Sequence, residues 1–298
     1  MKLQGIVPPL TVPFAADGSV DPLKLRANIE RYNGTRVSGH VVNGSTGESV
    51  LLRWEEIYGV WEIARSAVAS GRFLIAGTGA ESTSETIEHT NRAAELGYDF
   101  ALVRTPSYYK PSLSEDLEAE HYLRVADAAK IPVMVYSIPP FTGYTVEAPL
   151  LARVAKHPNI VGIKDSSGSV ARVAECRAVV PAGFGIMVGS PTTLAPSLAN
   201  GADGAVLGMA CALPELCCEI YDAFRAGDTG RATALQEKLA AAAGLIGKHG
   251  IPGLKYAMDQ LGFFGGLPRR PLLPVSDAAR WEIDAWVSSL SVPAPAGR

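Results

Sequence analysis

The chain contains nine lysines, of which Lys2, Lys24, Lys130, Lys156, Lys238, Lys248 and Lys255 lie near the N-terminus or on segments with helical spacing, and Lys110 lies in a loop. Lys164 alone closes a short apolar run, Ile160-Val161-Gly162-Ile163, of the kind that forms a buried strand. Side chains alternate along a strand, so Ile160, Gly162 and Lys164 should share one face, the small Gly162 leaving room beside the amine. An amine desolvated in such a place can attack a carbonyl carbon and hold the product as an imine. The same spacing also suits a lysine that reaches the rim and pairs with Asp165. Spacing leaves both roles open.

Two further groups could serve such chemistry. Tyr136 closes the preceding apolar run, Pro132 to Ser137, on the face of Met134. If the two runs are neighbouring strands, its phenol would lie beside the Lys164 amine and could pass protons to and from a carbinolamine, or it is an ordinary rim tyrosine. The turn Gly44-Ser45-Thr46-Gly47-Glu48 offers backbone N–H groups and two hydroxyls suited to a small carboxylate. Cys176, Cys211, Cys217 and Cys218 form no Cys-x-x-Cys pair and no zinc-ligand pattern with the histidines, and are expected to be buried and reduced. His40, His89, His121, His157 and His249 have no i, i+4 partner and are expected as capping or surface residues.

The elements that must position these groups follow from eight short apolar runs: Gly5 to Val12, Gly39 to Val42, Phe73 to Ala76, Phe100 to Val103, Pro132 to Ser137, Ile160 to Lys164, Gly185 to Val188 and Gly204 to Leu207. Between them lie segments of helical spacing, among them Pro22 to Tyr32, Trp54 to Ala69, Ser114 to Ala129 and Pro214 to Ala226. Strict alternation implies parallel strands with right-handed crossovers. Eight such units fit an α/β fold of the (β/α)8 TIM-barrel type. An open doubly wound sheet would carry a glycine fingerprint after the first strand, where this chain reads Thr11-Val12-Pro13-Phe14. The domain reading is a catalytic barrel over residues 1–226, a C-terminal helical extension over 227–292 and a disordered tail over 293–298.

Composition narrows the function classes. Of the 298 residues, 47% are hydrophobic and 19% charged, which excludes general disorder and hints at surface buried between subunits. A net charge of −3 offers no broad attraction for nucleic acid or anionic lipid. The stretch from Ala178 to Ala202 lacks Asp, Glu, Lys and Arg, but Pro181, Pro191 and Pro196 and several glycines break it into short pieces. No membrane span is expected, and without a secretory leader the expected location is the cytoplasm.

At Lys164, with Tyr136 and the Gly44 to Glu48 turn, the sequence resembles the dihydrodipicolinate synthase and N-acetylneuraminate lyase family of pyruvate-dependent class I aldolases. The likeness extends over Gly5-Ile6-Val7-Pro8-Pro9, Ala76-Gly77-Thr78-Gly79, Thr105-Pro106 with Tyr108, Pro139 with Thr142-Gly143, and Val161 to Lys164. It implies a homotetramer without metal or organic cofactor. It further implies Lys164 as the Schiff-base lysine and Tyr136 as the proton-transferring tyrosine. Ser45 and Thr46 would hold the substrate carboxylate, and Tyr108 would enter a neighbouring subunit's site to complete a relay through Ser45 and Tyr136. Gly44, Ser166 and Val206 join the substrate-binding set.

The substrates implied are pyruvate with an aldehyde, or a 4-hydroxy-2-oxo acid. In the dihydrodipicolinate synthases an arginine before the Thr-Gly pair holds the carboxylate of aspartate semialdehyde; here that position is Phe141. The runs Val135 to Pro139, His157 to Ser166 and Gly250 to Lys255 resemble the 4-hydroxy-2-oxoglutarate aldolases, which yield pyruvate and glyoxylate, although Thr46 stands where some of those have asparagine. Cleavage of 4-hydroxy-2-oxoglutarate or a related 2-oxo acid is therefore the first expectation, and dihydrodipicolinate synthesis the alternative. Outside the class stand a non-catalytic 2-oxo-acid-binding barrel and, more remotely, a metal-dependent aldolase.

Overall fold

The computed structural model describes residues 2–290, so the tail expected at 293–298 lies outside the described residues. Eight strands, β1 (Gly5–Val7), β2 (Gly39–Val42), β3 (Phe73–Gly77), β4 (Phe100–Arg104), β5 (Val133–Ser137), β6 (Ile160–Asp165), β7 (Gly185–Val188) and β8 (Gly204–Val206), run parallel in the order β1-β8-β7-β6-β5-β4-β3-β2. A parallel bridge between Pro9 and Val41 closes the ring, with Leu10 N–H donating to Val41 O at 2.8 Å. The result is the expected TIM barrel. β1 is shorter than its apolar run because Pro8 and Pro9 cannot donate to a ladder.

Helices α1 (Pro22–Asn33), α2 (Trp54–Ala67), α3 (Thr83–Glu95), α4 (Glu115–Ala128), α5 (Pro139–Thr142), α6 (Ala148–Val154), α7 (Val170–Val179), α8 (Leu194–Ala199) and α9 (Pro214–Arg225) connect or follow the strands. After them come α10 (Thr229–Gly247), α11 (Gly250–Gln260) and α12 (Asp277–Ser289). Local sequence explains many helix starts. Asp21, Ser82, Ser114, Ser169, Asp228 and Ser276 each accept a hydrogen bond from the backbone N–H three residues on. Such a cap is worth about 0.5–2 kcal/mol over alanine.

The period of two divides the strand residues between two cores. Val7, Val41, Ile75, Leu102, Met134, Tyr136, Met187 and Val206 fill the barrel interior. Ile6, Val42, Leu74, Val103, Val135, Ile163 and Ile186 face the helix layer. One expectation fails at β6. Ile160 packs in the outer core, because the pairing with β5 skips Val161: Val133 opposes Ile160 and Met134 opposes Gly162. The space at Gly162 is also not left beside the amine; Leu3 fills it, its Cδ1 lying 2.7 Å from where a Cβ would stand.

All four cysteines are free and buried, as expected. The histidines divide. His40, His89 and His121 are buried, which corrects the expectation that they are capping or surface residues, whereas His157 and His249 pair with Asp127 and Glu282. His40 projects from β2 near Tyr32 of α1, and burial pushes its imidazole down to about 3, so it packs as a neutral ring. Among the described residues there is no cluster of metal-ligating side chains and no helix long and apolar enough to cross a membrane.

Candidate active site

Lys164 and Tyr136 end adjacent strands and are direct register partners, so pleat and pairing deliver both side chains to one end of the barrel interior. Both are 4% exposed. Lys164 Nζ donates to Tyr136 Oη at 3.2 Å and lies 4.2 Å from the centre of the tyrosine ring. Tyr136 Oη is in turn 3.3 Å from Ser45 Oγ. Amine, phenol and hydroxyl form one chain along which a proton can move.

The rim-lysine alternative fails on the partner. Asp165 commits its carboxylate to the Ser167 N–H (3.0 Å) and hydroxyl (2.5 Å) and to Arg172 Nε at 3.4 Å, which pins the loop after β6. Among the described residues no carboxylate lies within ion-pair distance of Lys164.

Ser45 to Gly47 form a 3₁₀ turn after β2, entered through Asn43 in a left-handed conformation (φ 59°). The N–H groups of Ser45 and Thr46 start that turn, where no intrahelical partner exists, which suits them to an anionic oxygen. Ser45, Thr46, Ser166 and Val206 line a cavity of about 300 Å³ together with Lys164 and Tyr136. Gly189 is required there: a Cβ on it would stand 2.0 Å from Ser166 Oγ.

Two expected residues sit elsewhere. Gly44 lines an adjoining cavity of about 280 Å³ with Asn43, Glu81 and Glu85, not the one at Lys164. Tyr108 is 78% exposed on the loop after β4 and borders neither cavity. Glu81 holds the base of that loop by accepting the N–H groups of Ser107 (2.8 Å) and Tyr108 (3.0 Å) while pairing with Arg104 at 2.6 Å.

One wall was not anticipated from sequence. Ala243, Ile246 and Gly247 of α10 and Gly250, Ile251 and Leu254 of α11 close the cavity. Their spacing of three and four residues was a legible signal of one helical stripe, but it could not say what the stripe faces. Phe141 of α5, 68% exposed, stands at the mouth. Apart from Lys164 and Tyr136 the lining contains no ionisable side chain.

A buried, unpaired lysine with a phenol in hydrogen-bond reach at the strand ends of a TIM barrel defines a barrel enzyme equipped for imine chemistry. The chain belongs to the dihydrodipicolinate synthetase family, whose model matches residues 2–290. It is thus a class I pyruvate aldolase, a lyase forming a lysine Schiff base. It is 38% identical to the 4-hydroxy-tetrahydrodipicolinate synthase of Methanothrix thermoacetophila over 277 residues, 92% of each chain. With the enzyme of the same name from Thermosynechococcus vestitus it shares 36% identity over 293 residues, 96% of this chain and 97% of the other. Among solved structures it is similar to dihydrodipicolinate synthase from Aquifex aeolicus (TM-score 0.92, 29% identity, 98% and 99% of the two chains). YagE of E. coli K12, a prophage protein of the same family solved with pyruvate, is similar at a TM-score of 0.91 and 27% identity over 96% and 98%. Both of these relatives bear the synthase name, the alternative on sequence grounds.

Proposed function

We propose that Lys164 is the lysine that forms the Schiff base with pyruvate. The observation that carries this reading is the Lys164–Tyr136–Ser45 chain at 3.2 and 3.3 Å inside a cavity with no other ionisable group. The Lys164 amine adds to C2 of pyruvate, and Tyr136 protonates the departing hydroxyl as water leaves. The imine nitrogen then accepts the electron pair released when a proton is taken from C3. The enamine so formed attacks an aldehyde carbon, or in reverse the C3–C4 bond of a 4-hydroxy-2-oxo acid breaks to release one. Ser45 and Thr46 bind the carboxylate through their N–H groups, with Ser166 and Val206 against the rest of the substrate. Tyr108 serves the site of a second copy in a homotetramer, passing protons through Ser45.

For the second substrate, the relatives' shared name supports 4-hydroxy-tetrahydrodipicolinate synthesis, with aspartate semialdehyde as acceptor, ahead of 4-hydroxy-2-oxoglutarate cleavage. One observation favours the second reading. Phe141 puts a ring, which cannot make a bidentate bond to a carboxylate, where an acceptor would enter, and Ser166 offers a neutral hydroxyl instead.

Borohydride with pyruvate should add one reduced pyruvyl group to Lys164 and abolish turnover; an unmodified Lys164 in an inactivated enzyme would overturn the assignment. Steady-state rates for pyruvate with aspartate semialdehyde, and for 4-hydroxy-2-oxoglutarate alone, then decide between the two readings by which substrate gives the higher kcat/KM.

A further inference from the structure

The turn that presents Ser45 and Thr46 ends on Glu48, a non-glycine residue in the left-handed region (φ 56°), where a side chain with a Cβ is disfavoured. Its carboxylate does not line the cavity at Lys164. It lies 2% exposed against Lys255 of α11, which is 0% exposed. Glu48 Oε1 accepts from Lys255 Nζ at 2.7 Å, and Oε2 accepts from the Arg269 backbone N–H at 2.7 Å. The remaining two protons of Lys255 go to the carbonyls of Val12 (2.9 Å) and Leu267 (2.7 Å), so all three donors are used. Lys255 Nζ and the Arg269 guanidinium each stand 4.5 Å from the centre of the Phe14 ring. Arg269 continues to Glu56 of α2 at 2.6 Å.

A fully buried ion pair is a poor source of net stability, because desolvating two charges offsets most of their attraction and a well-packed apolar pair would do as well. What it adds is geometry. Three donors on one nitrogen and two acceptors on one carboxylate tolerate few arrangements. Here they tie the turn to two segments far away in sequence, Lys255 and Arg269 lying 207 and 221 residues from Glu48. The same helix reaches the cavity one residue earlier. Leu254 lines it, and Leu254 Cδ2 and Thr46 Oγ1 both pack over Gly208.

We infer that the Glu48–Lys255 pair is a positioning device that locks the carboxylate-binding turn to α11 and holds the Ser45 and Thr46 N–H groups in place for the carboxylate of a 2-oxo acid. The inference rests on the role proposed for those two residues. Neither Glu48 nor Lys255 touches substrate, so both are positioning residues. The left-handed strain at Glu48 is retained because a glycine there would release the turn from the helix.

Two variants test it. The double variant Glu48→Gln with Lys255→Met removes both charges and leaves none buried alone, while Glu48→Asp keeps the charges, tolerates a left-handed backbone and retracts the carboxylate by one methylene. Borohydride trapping of Lys164 is followed by intact mass against pyruvate concentration, with near-ultraviolet circular dichroism to establish native packing. Half-saturating pyruvate should rise roughly tenfold in the double variant and severalfold in Glu48→Asp, while the saturated trapping rate stays within about twofold of wild type. Wild-type half-saturation in either variant with native packing overturns the inference. So does a fall in the saturated rate at unchanged half-saturation. If the wild-type enzyme is not trapped at all, the Schiff-base assignment fails first; trapped wild type with unshifted variants sinks only the positioning role.

Discussion

The role proposed for Lys164 rests on what surrounds it: 4% exposure, a phenol at 3.2 Å, and an Asp165 already engaged by Arg172. Phe141, at the cavity mouth, is the residue on which the choice of second substrate was argued. A charge-assisted hydrogen bond contributes about 1.5–3 kcal/mol, or roughly ten- to a hundredfold in a rate ratio. Phe141→Arg is therefore expected to raise kcat/KM for aspartate semialdehyde by about tenfold or more, measured by steady-state kinetics at saturating pyruvate. Phe141 is 68% exposed, so the change leaves the core intact. Lys164, Tyr136 and the Gly44 to Glu48 turn were legible as candidates from strand ends and a glycine-rich bend, and the roles proposed for them came from the family resemblance. Their mutual distances were not legible, and neither was the contact between Glu48 and Lys255, since a lysine within a helical pattern reads as surface until the fold buries it.

Helix α4 contains a buried acid with no ion-pair partner among the described residues. Glu118 is 1% exposed, neither carboxylate oxygen has a hydrogen-bond partner, and burial pushes its carboxyl up to about 7 from an ordinary 4.5. The folded state therefore binds the proton more tightly than the unfolded chain. The associated stability is full below about pH 4.5 and is lost as pH rises through about 7. Glu118→Gln, which keeps the neutral shape, is expected to stabilise the protein by on the order of 1–3 kcal/mol at pH 8 and by almost nothing near pH 4.5, read from urea unfolding at the two values. At this scale most helices were legible to within a few residues, because caps such as Ser114 and Ser169 and the apolar spacing are local. The short α5 was missed behind its prolines, and β1 was overextended into residues that cannot donate to the ladder.

The barrel with α10 and α11 closes a cavity around Lys164, yet leaves Tyr108 78% and Tyr109 72% exposed on the loop after β4. The two rings meet edge to face at 5.0 Å on a loop that Glu81 ties down. Tyr108→Ala and Lys164→Ala are each expected to be nearly inactive. If Tyr108 works in trans, subunit exchange between the two should restore about a quarter of wild-type activity, since half the random pairs are mixed and each holds one intact site. Absence of recovery, with mixed assemblies verified by native mass spectrometry, would assign Tyr108 to no site but its own.

The amino-acid sequence by itself determined the barrel, because alternating strand and helix periods and short connections admit few parallel folds, and within that barrel it put Lys164 and Tyr136 at the ends of consecutive strands. Tertiary structure alone decided that α10 and α11 wall the cavity, that β6 skips a residue at Val161, and that Lys255 meets Glu48. Each of those depends on contacts between segments far apart in the chain. Local periodicity states which face of a helix is apolar but not what will cover it, and a charge is hidden only when distant segments supply all its partners.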